Sequence, residues 1–337
     1  MRLVLIMLLA CSFCALSHTS QLSDKVKKLD EASDYLTVNP AQSITILDSI
    51  NGLQQASVAL FIRWHLINAR AAVPTAQYDR LYQSINAVFS HHHSYYFQQK
   101  LTTIMSALGI WLRREEYLPD AKLSFQCAFR YAESDRQRLT LSNSMALLAR
   151  SQNDYEQARN LYGQSHSLAI KLALPNVVAM IENNLGYLAL DEGRVVAAER
   201  YFRSALSRYQ AIDKRAGQIS AGLNLLLVFL VQEQRLNYDR LYGPTATLTE
   251  AFPNDAKQAL LQWLEAGYAY HKGDALTAEH KAQLQSAFKQ LQSDKMRAII
   301  YRYFAKPMQV TVDLPQAPSP IKRFSSPWFE LVKECAW

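Results

Sequence analysis

Apolar and polar positions alternate along most of this chain with the three- and four-residue spacing of amphipathic helices. After Asn39, for example, Ile44, Leu47 and Ile50 fall on one helical face. Further segments of this kind follow before residue 94. The chain has 10 glycine residues among 337, which is below the usual share, and its helical stretches are rich in Ala, Leu and Gln. We therefore predict an all-α protein.

A second pattern, of longer range, repeats through the middle of the chain. A small residue is followed 12, 16 and 19 positions later by a small, an aromatic and a small residue. The lead residues of successive units are 37 and 40 positions apart, which predicts an array of helical repeats that bury their faces against neighbouring units. The units are Gly109, Ala121, Phe125 and Ala128; Ala146, Ala158, Tyr162 and Ser165; and Gly186, Ala198, Phe202 and Ala205.

These positions resemble the signature of the tetratricopeptide repeat family, most clearly over residues 101–205 and with departures as far as residue 304. The family repeat has about 34 residues, and the longer units resemble a variant of bacterial regulatory proteins. The resemblance implies a right-handed superhelical solenoid of antiparallel helix pairs. Within a pair, Gly186 would let the helices approach closely beside Phe202, and Gly193 would suit the left-handed turn between them.

Two later units depart from the pattern. Leu227 takes the lead position of a fourth unit, whose second helix we predict to be broken at Gly243-Pro244, because proline removes a helical hydrogen bond. Gly267 leads a fifth unit, followed by a turn at Gly273-Asp274. Residues 295–304 are predicted to form a terminal helix that covers the last apolar face.

Composition divides the chain into four predicted segments. They are a signal peptide at 1–17, divergent helical pairs at 18–94, the repeat solenoid with its capping helix at 95–304, and a proline-rich tail with a short hydrophobic end at 305–337. Three alternatives are open for the tail: it folds back on the solenoid, it binds a partner, or it is disordered. Whether it docks in the groove of the solenoid is open as well.

The first residues have the pattern of a secretory signal. Arg2 supplies the positive end, Leu3 begins an apolar run, and Ala15-Leu16-Ser17 places small residues at a cleavage site. We therefore expect a periplasmic or secreted bacterial protein. An uncleaved N-terminal anchor and a lipoprotein signal around Cys11 are the alternatives.

The formal net charge is +7, without a block of Lys and Arg, which is typical of a soluble surface with a mild positive bias. Nucleic acid is not expected as a partner of an exported chain. Cleavage of the signal would leave Cys127 and Cys335. An exported location permits a disulfide between these two cysteines, and the sequence leaves open whether they meet.

The chain shows few of the residue spacings that are typical of catalytic sites. It lacks an H-E-x-x-H motif, a G-x-S-x-G motif and a glycine-rich phosphate loop. The histidine run 91–93 is predicted to be a solvated loop, and His65, His166, His271 and His280 each lie alone on a predicted helix. We therefore expect no catalytic residue, no metal site, no cofactor and no enzymatic activity.

Asparagine recurs three residues before each lead position, at Asn143, Asn183 and Asn224, with intervals of 40 and 41. Asparagine is disfavoured in helix interiors, so its recurrence indicates that its side chain forms specific hydrogen bonds. The family resemblance implies that this face lines the concave groove and that the asparagines bind the backbone of an extended peptide. Alternatively, each asparagine bonds to the neighbouring helix and stabilises the stack.

The same face would add charged and aromatic groups to the groove. Arg113 and Arg150 each follow a lead residue by four positions and could receive a partner's carboxylate, or they could simply face solvent. Tyr187 and Tyr268 would supply apolar contacts.

These features together predict a non-catalytic exported protein that binds a protein or extended peptide, as a signalling partner or an envelope assembly scaffold. One alternative is a sensor-type ligand-binding protein of a membrane signalling system. A helical hydrolase acting on the cell wall is another, and it would require a buried carboxylate in a deep cleft.

Overall fold

The computed structural model describes residues 22–53, 57–252, 254–291, 293–314 and 321–337. The predicted signal peptide, its cleavage site and the alternative N-terminal anchor lie outside the described residues. None of the helices within the described residues combines the length and apolarity that a membrane span requires.

The described residues form helices and connecting turns, with no β-strand among them, as the periodicity predicts. The first helix, α1, covers residues 22–35. A π-helical turn, Tyr301–Ala305, continues the sixteenth helix. The others are α2 (Pro40–Asp48), α3 (Val58–Ala72), α4 (Tyr78–Phe89), α5 (Tyr95–Gln99), α6 (Leu101–Arg114), α7 (Leu118–Arg130), α8 (Asp135–Ser151), α9 (Tyr155–Lys171), α10 (Pro175–Asp191), α11 (Val195–Ala211), α12 (Arg215–Val231), α13 (Arg235–Glu250), α14 (Asp255–Lys272), α15 (Ala278–Gln290), α16 (Asp294–Ile300) and α17 (Phe329–Glu334).

The helices belong to two compact units. Unit 1 consists of Met1–Glu133 and Ile321–Trp337, and unit 2 consists of Ser134–Pro320. In unit 1 the packed pairs are α3 with α4 and α6 with α7. In unit 2 they are α8 with α9, α10 with α11, α12 with α13, and α14 with α15. The segment 95–304 therefore contributes to both units, and so does the tail segment 305–337.

Glycine at the lead position allows the two helices of a pair to lie close together, as predicted. A Cβ atom added at Gly186 would lie 2.4 Å from the Phe202 ring, and one at Gly109 would lie 2.6 Å from the Phe125 ring. Phe125 and Phe202 are fully buried. The aromatic ring therefore fills the space that a side chain would otherwise occupy.

The turn within each pair repeats one backbone conformation. Gly193 has a φ of +73°, as predicted, and Asn153 and Glu233 hold the same place in their pairs with φ values of +62° and +55°. After each turn a backbone N–H donates a hydrogen bond to a carbonyl near the end of the first helix, as the Arg194 N–H does to the Ala189 carbonyl at 2.8 Å. This bond satisfies a carbonyl left open by the end of the helix.

The predicted break at Gly243-Pro244 is wrong. Helix α13 runs without interruption from Arg235 to Glu250 with Pro244 inside it. Its packed side chains lie on both sides of the proline, with Tyr238 buried before it and Thr249 buried after it. Burial on both flanks outweighs the hydrogen bond that Pro244 cannot donate.

The last helix of unit 2 is α16, the terminal helix that the sequence predicts, and the π-helical turn Tyr301–Ala305 follows it. The ring of Phe304 lies against Gly267, where an added Cβ would be 2.6 Å away. The chain then continues along α14 and α15, where the Tyr270 hydroxyl donates to the Pro307 carbonyl at 3.2 Å and Gln285 donates to the Thr311 carbonyl at 2.8 Å. Met308 and Val310 are buried in the core of this unit.

The end of the tail folds back on unit 1, as one of the three alternatives requires. The backbone N–H of Phe324 donates to Oδ2 of the buried Asp120 at 2.7 Å. Trp328 stacks on Phe89 with ring centroids 3.9 Å apart, and its Nε1–H donates to Asn86 at 2.8 Å. These contacts lie on the second helices of the pairs, α4 and α7.

A disulfide fastens the same segment. Cys335, next to the last residues of the chain, is bonded to Cys127 in α7, and their Cα atoms are 5.6 Å apart. The two cysteines that the sequence left unassigned therefore meet within unit 1. Arg130 adds a hydrogen bond from Nη1 to the Cys335 carbonyl at 3.0 Å.

Candidate functional site

The recurring asparagines of unit 2 lie on adjacent first helices of the pairs, and each is hydrogen-bonded to a side chain of a neighbouring first helix. Nδ2 of Asn224, in α12, donates to Oδ1 of Asn183, in α10, at 2.9 Å. The Tyr187 hydroxyl donates to Oδ1 of Asn224 at 2.7 Å. On the other side, Nδ2 of Asn184 donates to Oδ1 of Asn143, in α8, at 3.3 Å. We call these five residues the polar seam; it joins α8, α10 and α12.

Hydrogen bonds along the seam use only part of the asparagines' capacity. Asn224 is 1% exposed, and both ends of its amide are bonded. Asn143 and Asn183 are 8% and 9% exposed and accept hydrogen bonds through Oδ1. Within the described residues, the Nδ2 atoms of Asn143 and Asn183 have no acceptor, and neither atom is fully buried. The seam therefore stabilises the stack of helices and still presents two amide donors.

Arg150 extends the seam from α8. Its Nε and Nη2 atoms donate to the two carboxylate oxygens of Asp191 at 2.6 and 3.2 Å. The guanidinium also lies over the Tyr187 ring, 5.2 Å from its centroid. The Arg150 side chain is 14% exposed and that of Asp191 is 4% exposed, so Arg150 does not face solvent. Its carboxylate partner comes from this chain, and a partner's carboxylate would have to compete with Asp191.

Tyr187 lies at the centre of these contacts and is half-buried. Burial raises the pKa of its phenol, an effect that the nearby Arg150 guanidinium opposes. The phenol therefore remains protonated near neutral pH and can act as the donor to Asn224. Its ring also meets Phe202 edge-on at 5.5 Å, which ties the seam to the packing of the pair.

Of the remaining two predicted residues, Tyr268 lies apart from the seam within unit 2, and Arg113 belongs to unit 1. Tyr268, in α14, stacks on Tyr238 with ring centroids 4.4 Å apart, and its hydroxyl bonds to Asp239 of α13. Lys272 lies 4.6 Å from the same ring. Arg113 is a half-buried residue at the end of α6, in unit 1. Within unit 2, the structure thus brings together Asn143, Asn183, Asn224, Arg150 and Tyr187, and places Tyr268 elsewhere.

A buried carboxylate that the sequence pattern did not reveal joins three helices of unit 2. Glu182, in α10, is 6% exposed and accepts hydrogen bonds from Ser204 at 2.9 Å and from Arg208 at 2.9 Å. Nε2 of His166 lies 3.3 Å from the other carboxylate oxygen, so this histidine has a partner from another helix. These donors come from α9 and α11, 16 to 26 residues away, beyond the reach of helical spacing. The contacts are those of a structural ion pair.

The histidines of unit 1 also form contacts that periodicity does not reveal. His65 packs edge-on against Phe61 and Trp64, at 4.4 and 4.7 Å. Burial, with a smaller contribution from His91, lowers the pKa of His65 to about 4, so the ring is neutral at pH 7. Nδ1 of His92 lies 2.9 Å from the Phe89 carbonyl. Among the described residues, His, Cys, Asp and Glu side chains do not cluster in a way that could hold a metal ion.

Together the paired helices, their repeated turns and the lead glycines define an all-α helical-repeat fold of the tetratricopeptide type. No family model matches the chain, and no curated protein matches it. Its fold is similar to that of aspartyl phosphate phosphatase F from Bacillus subtilis, at 11% identity and a TM-score of 0.53, over 82% of this chain and 78% of that one. A Rap protein complexed with competence and sporulation factor matches at 11% identity and a TM-score of 0.42, over 86% of this chain and 98% of that one.

Proposed function

We propose that the first-helix face of unit 2 binds an extended segment of a protein or peptide partner without catalysis. The observation that carries this proposal is the pair of unused amide donors on Asn143 and Asn183. An extended peptide has one carbonyl acceptor per residue, and side-chain amides in successive repeats are suited to bond them at intervals. The partly exposed ring of Tyr187 adds apolar contact area between the donors.

The seam makes these donors rigid before a partner arrives. Asn183 is held by Asn224, and Asn143 is held by Asn184. A donor already fixed by a neighbouring helix loses little conformational freedom on binding, so its hydrogen bond contributes more to affinity. Asn224 acts as a supporting residue, because both ends of its amide are already bonded within the stack.

The charge selectivity of the face depends on Arg150. Since its guanidinium bridges Asp191 and Tyr187, an acidic partner gains less from it than from an unpaired arginine. We therefore assign affinity to the asparagines and to Tyr187, and to Arg150 a smaller role in selectivity. Tyr268, which lies apart from the seam within unit 2, and Arg113 of unit 1 are proposed only as further contacts of a longer partner.

The context in the cell is proposed from the sequence of the first residues. A cleaved signal at 1–17 would place the protein in the periplasm or outside the cell, as a partner of a signalling protein or a scaffold for envelope assembly. The similarity to the Bacillus subtilis phosphatase is one of fold, and the activity in that protein's name is not transferred to this chain. Fractionation of cells, with N-terminal sequencing of the mature chain, tests the location.

The binding face is tested by a matched pair of substitutions. Asn183→Asp keeps the oxygen that accepts from Asn224 and replaces the amide donor by a second oxygen. Asn160→Asp makes the same chemical change at an exposed position of α9. A photo-crosslinking residue at Met180 would capture the partner in the native envelope, and the crosslinked segment would then be synthesised. We expect Asn183→Asp to weaken its binding by about fivefold, the loss of one hydrogen bond.

Fluorescence anisotropy of the labelled segment measures the affinity, and circular dichroism confirms the folding of both variants. Equal affinity of the folded Asn183→Asp and Asn160→Asp proteins would show that the amide donors do not bind the partner.

A further inference from the structure

Ser220 and Lys257 form a further hydrogen bond between first helices of unit 2. Nζ of Lys257, in α14, donates to Oγ of Ser220, in α12. Lys257 lies 37 positions after Ser220, the same interval that separates Asn224 from Tyr187 in the polar seam. Ser220 also precedes Asn224 by four residues, which places both on one face of α12. This bond therefore extends the line of the seam from α12 to α14.

Lys257 has no acidic partner within the described part of the chain. The Ser220 hydroxyl, which donates to the Ala216 carbonyl at 2.9 Å, offers it a neutral oxygen only. Asp255 precedes Lys257 by two residues and is exposed, and residues two apart on a helix do not face each other. An ammonium group has three N–H donors, so two of those on Lys257 have no acceptor among the described residues.

The surroundings of Lys257 disfavour its charge. Lys257 and Ser220 are both half-buried. Burial lowers the pKa of the Lys257 amine to about 8, so the amine is still mostly protonated at neutral pH. A partly desolvated ammonium without a counter-ion costs free energy in the folded chain. An anion bound here would remove that cost, and it would be attracted more strongly than by a fully solvated lysine.

We propose that Lys257 pairs with the carboxylate of an aspartate or glutamate side chain in the partner segment. This pairing presupposes the binding of an extended segment proposed above, and it makes Lys257 the main source of charge selectivity, because Arg150 already bridges Asp191 and Tyr187. One ammonium balances the single charge of a carboxylate, whereas a phosphate carries nearly two charges. Packed helices lie about 8–10 Å apart and an extended chain advances about 3.3 Å per residue, so roughly six residues reach from α10 to α14.

The test uses the immobilised full chain and a synthetic library of random octapeptides, N-acetylated and C-terminally amidated, so that Asp and Glu side chains supply the only carboxylates. Mass spectrometry identifies the retained peptides. We expect the parent to enrich Asp and Glu over Asn and Gln by about fivefold or more at one position of the aligned peptides. Lys257→Met should abolish this enrichment. Lys306→Met, which removes the same side chain at an exposed position after the π-helical turn, is the matched control and should keep it.

Retained peptides that lack Asp and Glu report on the seam alone, and Asn183→Asp should lower their amount. Retention without an acidic preference, or a preference that survives in Lys257→Met, would overturn the pairing and leave the proposed binding face intact. An acidic preference that requires Lys257 but is indifferent to Asn183 would support the pairing and contradict the role of the seam. No retention by the parent would overturn both. An effect of Lys257 seen only with free C-termini would assign it to chain ends, which also overturns the pairing.

A second measurement needs no ligand. Methionine resembles lysine in length and carries no charge, so Lys257→Met should leave the midpoint of urea unfolding unchanged or raise it. Circular dichroism measures this midpoint beside that of Lys306→Met. A lower midpoint for Lys257→Met would show that the bond to Ser220 stabilises the stack and that the ammonium is not an uncompensated charge, which overturns the proposal.

Discussion

The absence of one methyl group at Gly186 fixes the distance between α10 and α11, because the Phe202 ring occupies the place of a Cβ atom. Gly163, in α9, offers the opposite case, since a Cβ atom there would meet nothing within 4 Å. We predict that Gly186→Ala lowers the free energy of unfolding by about 1–3 kcal/mol through overpacking. Gly163→Ala should raise it by about 0.4–1 kcal/mol, since alanine restricts the unfolded chain.

Urea unfolding followed by circular dichroism measures both changes. The two substitutions add the same atoms within helices of one unit, so each serves as the control for the other. A stabilised Gly186→Ala variant would contradict the packing described for the pair.

The sequence revealed the recurrence of asparagine but not what its atoms contact. The spacing of 40 and 41 residues is visible in the chain, whereas the partners of Asn224 and Asn143 lie 37 to 41 residues away in neighbouring helices. Which oxygen or nitrogen is used depends on how adjacent helices are aligned, and no local pattern encodes that alignment. The pairing of Arg150 with Asp191 was hidden for the same reason.

At the scale of a helix, α13 shows where local propensity fails as a guide. Pro244 disfavours a helix by about 3 kcal/mol in an exposed interior position, and the sequence therefore predicts a break. Helix α13 packs against α12 and buries Tyr238, Ala246 and Thr249, and this burial holds the helix together in spite of the proline. The helix pairs with glycine or alanine at their lead positions were predictable, because there the local pattern and the packing agree.

Pro244→Ala should therefore stabilise unit 2. Pro244 is exposed, so the alanine makes no clash, and its N–H restores the missing bond within α13. We expect the free energy of unfolding to rise by about 1–3 kcal/mol, most of the intrinsic difference between the two residues. Differential scanning calorimetry measures the change, and Pro40→Ala at the first position of α2, where proline is tolerated, is the control. A decrease in stability would mean that the helix requires the proline.

At the scale of the whole molecule, the disulfide joins residues that are 208 positions apart within unit 1. Closing a loop of this size removes conformational freedom from the unfolded chain. We predict that Cys335→Ser lowers the stability of unit 1 by about 2–4 kcal/mol. Four of the five tryptophans, Trp64, Trp111, Trp328 and Trp337, belong to this unit, so tryptophan fluorescence during denaturant unfolding reports mainly on it.

Lys333→Ala, an exposed change in α17 close to the disulfide, is the control and should leave the unfolding midpoint nearly unchanged. Reduction of the parent protein should lower its midpoint toward that of Cys335→Ser. If the parent and Cys335→Ser unfold at the same denaturant concentration, the noncovalent contacts of Phe324 and Trp328 suffice to hold the tail.

Because residues 321–337 belong to unit 1, this unit can be completed only after unit 2 has been synthesised. Unit 2 is one continuous stretch, whereas unit 1 begins with the first helices and is finished by residues 321–337. A ribosome moves from the N-terminus to the C-terminus, so the buried acceptor at Asp120 and the thiol of Cys127 have no partner until all of unit 2 has been made. Any product that stops before Ile321 lacks these partners, so the stability of unit 1 depends on a segment that is translated after the whole of unit 2.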